Sequence, residues 1–143
     1  ARVVRLFGFD PKVAFVSHST FGQPLTSRTK HIKKAVDILK DKNVDFEFDG
    51  DMQPDVALNP EYEELYPFAK IVGKANILIM PGQHSAAISY KLMKTIGDTK
   101  VIGPLLIGLG LPIEIAPLRT STSELINLAS IAAYSAEKID YSK

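Results

Sequence analysis

Short apolar runs alternate with longer amphipathic segments along this chain, and that alternation limits the folds open to it. Lys12-Val13-Ala14-Phe15-Val16 follows Pro11 and reads as a buried parallel strand, its Val13 to Val16 a short apolar run. A helix is predicted from about Ser27 to Lys40. Ile32, Ala35, Val36 and Leu39 form its apolar stripe, and Lys30, Lys33, Lys34, Asp37 and Lys40 face water, with His31 among them. Val44, Phe46 and Phe48 alternate with Asp45 and Glu47, the pattern of a half-buried strand near an edge. Ala75 to Met80 reads as the clearest buried strand and Pro81-Gly82 ends it. Strands separated by such helical segments imply crossover connections and a parallel sheet with helices on both faces. The fold class expected is therefore α/β, three-layer α/β/α with a mostly parallel sheet.

The remaining elements fill in around that frame. Val3, Val4 and Phe7 lie at helical spacing before Gly8, as in the end of a helix. Asn59-Pro60-Glu61 has a capping Asn, Pro at the first position and acid in the first turn, so a helix is predicted to start there. Ser85 is expected to cap a helix with Ile88, Leu92 and Ile96 on one face, closed by Gly97. Val101 to Gly103 and Ile113 to Ile115 read as short strands. Ser121-Thr122-Ser123-Glu124 is a capping box opening a last helix from Leu125 to about Glu137, apolar on most sides and expected to be buried.

Composition excludes several function classes. The 143 residues fit one ordinary domain. There is no cysteine, so thiol nucleophiles, disulfides and cysteine zinc sites are ruled out. Net charge is +1, which argues against nucleic acid as the main partner. No run of about 18 apolar residues is present to span a membrane. The N-terminus lacks a signal-peptide pattern, and a cytoplasmic location is expected. The chain begins with Ala1 rather than Met, which reads either as methionine removal or as part of a longer chain.

Ligands of open α/β sheets bind outside the carboxyl ends of the strands. That rule selects three loops. Ser17-His18-Ser19-Thr20-Phe21-Gly22 offers hydroxyls, amides and a glycine suited to phosphate or another anion, although such hydroxyls also make local turns. Asp49, Asp51 and Asp55 bring carboxylates together without calcium-loop spacing, and the segment reads as a solvated turn. Pro81-Gly82-Gln83-His84-Ser85 sets His84 and Ser85 at a helix start. No metal site is expected. Gly-x-Ser-x-Gly, Gly-x-Gly-x-x-Gly and the phosphate loop ending in Gly-Lys-Ser/Thr are all absent, and Gly108-Leu109-Gly110 reads as a turn.

Five segments taken in order carry more information than any single motif. They are VAFVSHST at Val13 to Thr20, DGDMQPDVALNPE at Asp49 to Glu61, GKANILIMP at Gly73 to Pro81, IGPLLIGL at Ile102 to Leu109 and SELINLASIAAY at Ser123 to Tyr134. Together they resemble the phosphate acetyl/butyryltransferase family, whose members share the isocitrate/isopropylmalate dehydrogenase-like fold. The match is to the C-terminal part of that fold, which implies a fragment of a longer chain. HSAAIS at His84 to Ser89 and PLLIGLGLPIEIAPL at Pro104 to Leu118 resemble the transacetylase-like tail of bacterial NADP-dependent malic enzymes.

The resemblance carries specific implications. Active transacetylases have Ser-Arg-Gly-Cys-Ser/Thr-x-x-Asp-Ile-Val-Asn before the last helix. In register, Pro117 and Leu118 stand at the Ser and Arg positions here, Thr120 at the Cys and Glu124 at the acid that deprotonates the CoA thiol. Arg119 lies one residue off. The resemblance thus implies a domain that binds acyl-CoA or phosphate between two lobes and assembles into a homo-oligomer without catalysing transfer. Ser17, Ser19, Thr20, His84 and Ser85 would line that cleft, with Glu124 near its rim. NADP and a divalent metal, Mg or Mn, would belong to an upstream malic domain of the parent enzyme, and acetyl-CoA would be an effector. The alternative is an active phosphate acyltransferase.

Overall fold

The computed structural model describes residues 1–97 and 100–138. The chain divides into two compact units, Ala1–Tyr90 and Lys91–Lys143.

In the first unit, α1 (Arg2–Leu6) ends at Phe7, and Gly8 adopts a positive φ of 81°. β1 (Lys12–Val16) is the central strand of a three-stranded sheet. It pairs in parallel with β2 (Glu47–Met52) on one side and with β3 (Ile77–Ile79) on the other. The connection between β1 and β2 is α2 (Ser27–Asp41), the crossover that parallel pairing demands. Thr26 opens α2 with a capping box shared with Thr29: each side chain accepts from the other residue's backbone N–H. α3 (Pro54–Leu58) follows β2, and a 3₁₀ turn at Pro60–Glu64 follows it.

The core sits against the middle of the sheet. Ala14, Val16, Met52, Ala57, Ile71 and Ala75 form one buried cluster, with Phe21, Val56, Leu78 and Met80 packed on it. Phe21 also stacks edge-on against Phe68, with ring centroids 4.8 Å apart, and against Tyr66 at 5.5 Å. Asn76 fastens β3 to the start of β1: its side chain accepts from Lys12 N at 2.8 Å and donates to Asp10 O at 2.7 Å.

Several boundaries differ from the sequence reading. β2 begins at Glu47 and runs through Asp49-Gly50-Asp51, which are not a solvated turn. Asp49 and Asp51 are buried, and each carboxylate receives two hydrogen bonds. Polarity hid the strand, because its inward positions carry partnered carboxylates in place of apolar groups. β3 is a half-buried edge of the described sheet, shorter than the Ala75 to Met80 run. In α2, Val36 is buried, but Ala35 is exposed. The Asn59 cap is present, donated to by Glu61 N at 3.1 Å, but it opens a 3₁₀ turn. α4 (Gln83–Ile96) starts before Ser85, which is a first-turn residue whose Oγ donates to Gly82 O at 2.8 Å. Ile88, Leu92 and Ile96 on α4 are exposed.

In the second unit, residues 100–121 are irregular, so the strands expected at Val101 to Gly103 and Ile113 to Ile115 are absent from the described residues. α5 (Thr122–Lys138) forms as the capping box requires. It is less buried than its composition implies: Leu128 is buried, whereas Leu125 and Ile126 are exposed.

Candidate functional site

The carboxyl ends of β1 and β2 are locked together by the loop that follows β1. Ser17 N donates to Met52 O at 2.9 Å and Phe21 N to Asp51 O at 2.6 Å. β2 carries one extra residue here: Phe15 pairs with Gly50 and Val16 with Met52, so Asp51 is the bulged position without a partner on β1. A bulge re-aims the side chain it carries. The Asp51 carboxylate takes a hydrogen bond from Ser19 Oγ on one oxygen and from Gly22 N, at 3.2 Å, on the other. Thr20 Oγ1 accepts from Gln53 N at 3.2 Å, and Ser17 Oγ accepts from Ser19 N at 3.3 Å. Gly50 makes the close approach possible. A Cβ there would stand 2.7 Å from both Cβ and O of Phe15, on a backbone with φ of 148°.

The loop hydroxyls are therefore committed. Ser19 is 0% exposed and Thr20 is 7% exposed, and neither lines the cleft that opens beside them. Their work is to hold the loop.

The cleft has a volume of about 840 Å³. Ser17 and His18 enter it from the end of β1, Arg28 and His31 from α2, and His84 and Ser85 from the first turn of α4. Arg28 and His31 lie three residues apart, the spacing that puts two side chains on one face of a helix. All three histidines of the chain line this cleft. Among the described residues no Asp or Glu lines it. Arg28 gives the wall a positive charge with no carboxylate beside it among the described lining residues, which favours anions.

Of the residues predicted from sequence, Ser17, His84 and Ser85 come together here, while Ser19 and Thr20 stand behind the wall. Arg28 and His31 escaped that reading. His31 is exposed, as expected of a helix rich in lysine, yet it faces the cleft. The signal that identifies both is their spacing in the first turns of the helix that follows the anion-friendly loop.

Glu124 belongs to the second unit. Its Oε1 accepts from Lys94 Nζ at 2.5 Å, and its Oε2 accepts from Ser121 N at 2.8 Å and Ser121 Oγ at 2.9 Å. Ser121 Oγ in turn accepts from Glu124 N at 3.3 Å, which completes the capping box. Lys94 first, and the two Ser121 donors after it, hold the Glu124 carboxyl at a pKa of about 2. Lys94, Arg119, Thr120, Glu124 and Asn127 share a small pocket of about 140 Å³. Leu118 is fully exposed. Among the described residues no three His, Asp or Glu side chains are grouped to hold a metal ion, and no helix is long and apolar enough to cross a membrane.

Similarity to known proteins decides the family. The family model for phosphate acetyl/butaryl transferase matches residues 1–133. The chain belongs to that family. The NADP-dependent malic enzyme of Rhizobium meliloti is 47% identical over 136 residues, which is 95% of this chain and 18% of that enzyme. The phosphate acetyltransferase of Bacillus subtilis is 32% identical, over 93% of this chain and 42% of that enzyme. A crystal structure of a phosphotransacetylase from Streptococcus pyogenes superposes with a TM-score of 0.88 at 31% identity, covering 97% of this chain and 43% of that one. The α/β fold and the resemblance read from sequence are thus borne out. The chain spans about a fifth of the malic enzyme and less than half of the transacetylases.

Proposed function

We propose that this chain is the transacetylase-like, regulatory part of an NADP-dependent malic enzyme, which binds an acyl-CoA without transferring its acyl group. The observation that carries the reading is the state of Glu124. A general base works best with a pKa near the working pH. Glu124 sits at the family's acid position, yet Lys94 and Ser121 hold it at about 2 and engage both of its oxygens. Leu118 stands where active relatives carry arginine and cannot replace a bidentate charge partner. Binding capacity is a separate matter, and the cationic cleft of the first unit suits the phosphates of CoA. Bound ligand would alter malate oxidation only through different affinity for two conformations of the parent enzyme.

In this reading NADP and a divalent metal serve the upstream malic domain, and the parent enzyme is a cytoplasmic homo-oligomer. The exposed apolar residues Ile88, Leu92 and Ile96 on α4, with Leu125 and Ile126 on α5, support a role in assembly. The test is calorimetry of the full-length protein with acetyl-CoA, alongside malate oxidation. Saturable binding with a changed rate is expected. Absence of both overturns the proposal.

The second reading is an active phosphate acyltransferase, favoured by the 32% identity to the Bacillus subtilis phosphate acetyltransferase. Phosphate-dependent loss of the acetyl-CoA thioester, abolished in Glu124→Ala, would establish it.

A further inference from the structure

The charges of the first unit are sorted by sign along the chain. From Thr26 to Lys42 there are six lysines and arginines and two acids. From Asn43 to Ala69 there are eight acids and no lysine or arginine. Ordinary domain surfaces intersperse the two signs. Here a chain of net charge +1 keeps them in separate blocks.

The basic block is α2. Lys30, Lys33 and Lys34 are three and four residues apart, so they share one face, and all three are exposed. This arrangement works against the helix that carries it. Lysines at that spacing repel one another, and the first turn holds Arg28 and Lys30 but no acid, the reverse of what the macrodipole favours. Asp37 is engaged by Lys40 at 2.7 Å and lies near Lys33. Lys30 and Lys34 have no ion-pair partner among the described residues. Local rules broken in this way point to a role outside the helix.

The exposed acids of the other block lie on the connection that follows β2: Asp55 on α3, and Glu61 and Glu64 on the 3₁₀ turn. None of the three has an ion-pair partner among the described residues. The sheet keeps the two blocks apart. Its order is β2-β1-β3, so the crossover through α2 moves one way across it and the connection through α3 moves back the other way. Right-handed crossovers taken in opposite directions lie on opposite faces. Burial agrees, since Ala57 of α3 belongs to the core cluster of Ala14 and Val16, and Val36 of α2 does not. Neither patch can neutralise the other within one chain.

We infer that the basic face of α2 in one copy docks on the acidic face of Asp55, Glu61 and Glu64 in a second copy. Charge complementarity assigns the occupant: the surface that α2 calls for is the one the same chain displays on its far side. The contact joins two different patches, so it is heterologous, and each copy gives one face and receives the other. The inference rests on the homo-oligomer of the proposed function. It assigns a contact separate from the apolar residues of α4 and α5, and it is independent of acyl-CoA binding.

The experiment is sedimentation velocity of the full-length protein over a concentration series. The assembly midpoint of the wild type is expected to rise on the order of tenfold between about 50 and 500 mM salt. Lys30→Glu with Lys34→Glu gives a chain acidic on both faces, and Glu61→Lys with Glu64→Lys gives one basic on both. Each alone is expected to raise the midpoint about tenfold or more at low salt, because like charges then meet. Mixed in equal amounts, the two variants should assemble with each other. A chain carrying all four changes should also recover. The four side chains are exposed, so the core is spared, and melting curves verify the fold. Should a reversal unfold the protein, Lys30→Gln with Lys34→Gln is expected to weaken assembly and remove most of its salt dependence.

An assembly midpoint unchanged in both reversed variants overturns this contact and leaves the assembly role of α4 and α5 standing. A monomer at every concentration and salt overturns both. Weakening by the α2 reversal that the acidic-face variant does not rescue overturns the second copy as occupant. Calorimetry with acetyl-CoA decides the regulatory reading separately.

Discussion

Lys94 Nζ lies 2.5 Å from Glu124 Oε1, and Ser121 engages the other carboxylate oxygen at 2.8 and 2.9 Å. One acid thus closes an ion pair to α4 and a capping box on α5. The folded-state pKa of about 2 lies below the ordinary carboxylate value of 4.5. A depressed carboxyl stabilises the folded state above its unfolded pKa, and that contribution fades as pH falls toward the folded one. Between about pH 4.5 and 2 the wild type should lose thermal stability more steeply than Glu124→Gln. Melting temperatures measured across that window check this. Parallel curves for the two proteins would show that the ion pair contributes nothing to folding, as some exposed pairs do not.

The same arrangement makes Ser121 a positional cap rather than a ligand contact. Ser121→Ala removes the acceptor for Glu124 N and should cost about 1 kcal/mol. Ser121→Thr, which keeps a hydroxyl both to accept from Glu124 N and to donate to the Glu124 carboxylate, should restore most of it. Urea denaturation midpoints of the three proteins measure the difference.

Buried polarity in the first unit is predicted to be more expensive to disturb. Ser19 is 0% exposed and donates to Asp51, itself 3% exposed. Ser19→Ala leaves a buried carboxylate short of a donor, at a cost of roughly 1.5–3 kcal/mol. Asp51→Ala should cost more, because it strands both the Ser19 hydroxyl and the Gly22 amide. Chemical denaturation ranks the two. A smaller effect for Asp51→Ala would mean that the loop finds other partners.

These contacts explain what the sequence could and could not reveal. β1 is legible to the residue, because Val13 to Val16 is an uninterrupted apolar run on the central strand and Lys12 directly precedes it. α2 and the α5 capping box were legible because caps and helical stripes are local. β2 was misplaced, since Asp49 and Asp51 are buried by partners far along the chain: Lys70 N for Asp49, and Ser19 and Gly22 for Asp51. No local pattern distinguishes such carboxylates from a solvated turn. The cleft failed for a similar reason. Ser17, His84 and Ser85 were found by their position at strand ends, but Arg28 and His31 lie on a helix whose exposed residues read as solvated. Glu124 and its cap were visible from the motif, whereas Lys94, thirty residues away, was not.

Gly50 provides a steric test of the bulge at the end of β2. An added Cβ meets Phe15 Cβ and the Phe15 carbonyl oxygen, both at 2.7 Å, and φ of 148° is strained for any L side chain. The Phe15 backbone is fixed by pairing on both sides of β1 and cannot move aside. Gly50→Ala should therefore cost roughly 2–4 kcal/mol, combining backbone strain and overpacking. Its unfolding midpoint is the measurement, with Gly82→Ala as the comparison, since a Cβ at Gly82 meets nothing within 4 Å.

Within α2 the burial pattern separates one apolar residue from its neighbours. Val36 is 2% exposed, while Ile38 is 49% exposed. Val36→Ala removes two buried methyl groups from a site facing the sheet and should cost about 2 kcal/mol in lost transfer energy and residual cavity. Ile38→Ala removes more atoms, but those atoms are half in water. Alanine is also the better helix former, so the net change should stay within about 0.5 kcal/mol. The larger deletion is thus predicted to be the milder one. Equal losses in urea denaturation would mean that Ile38 is covered by another part of the full-length protein.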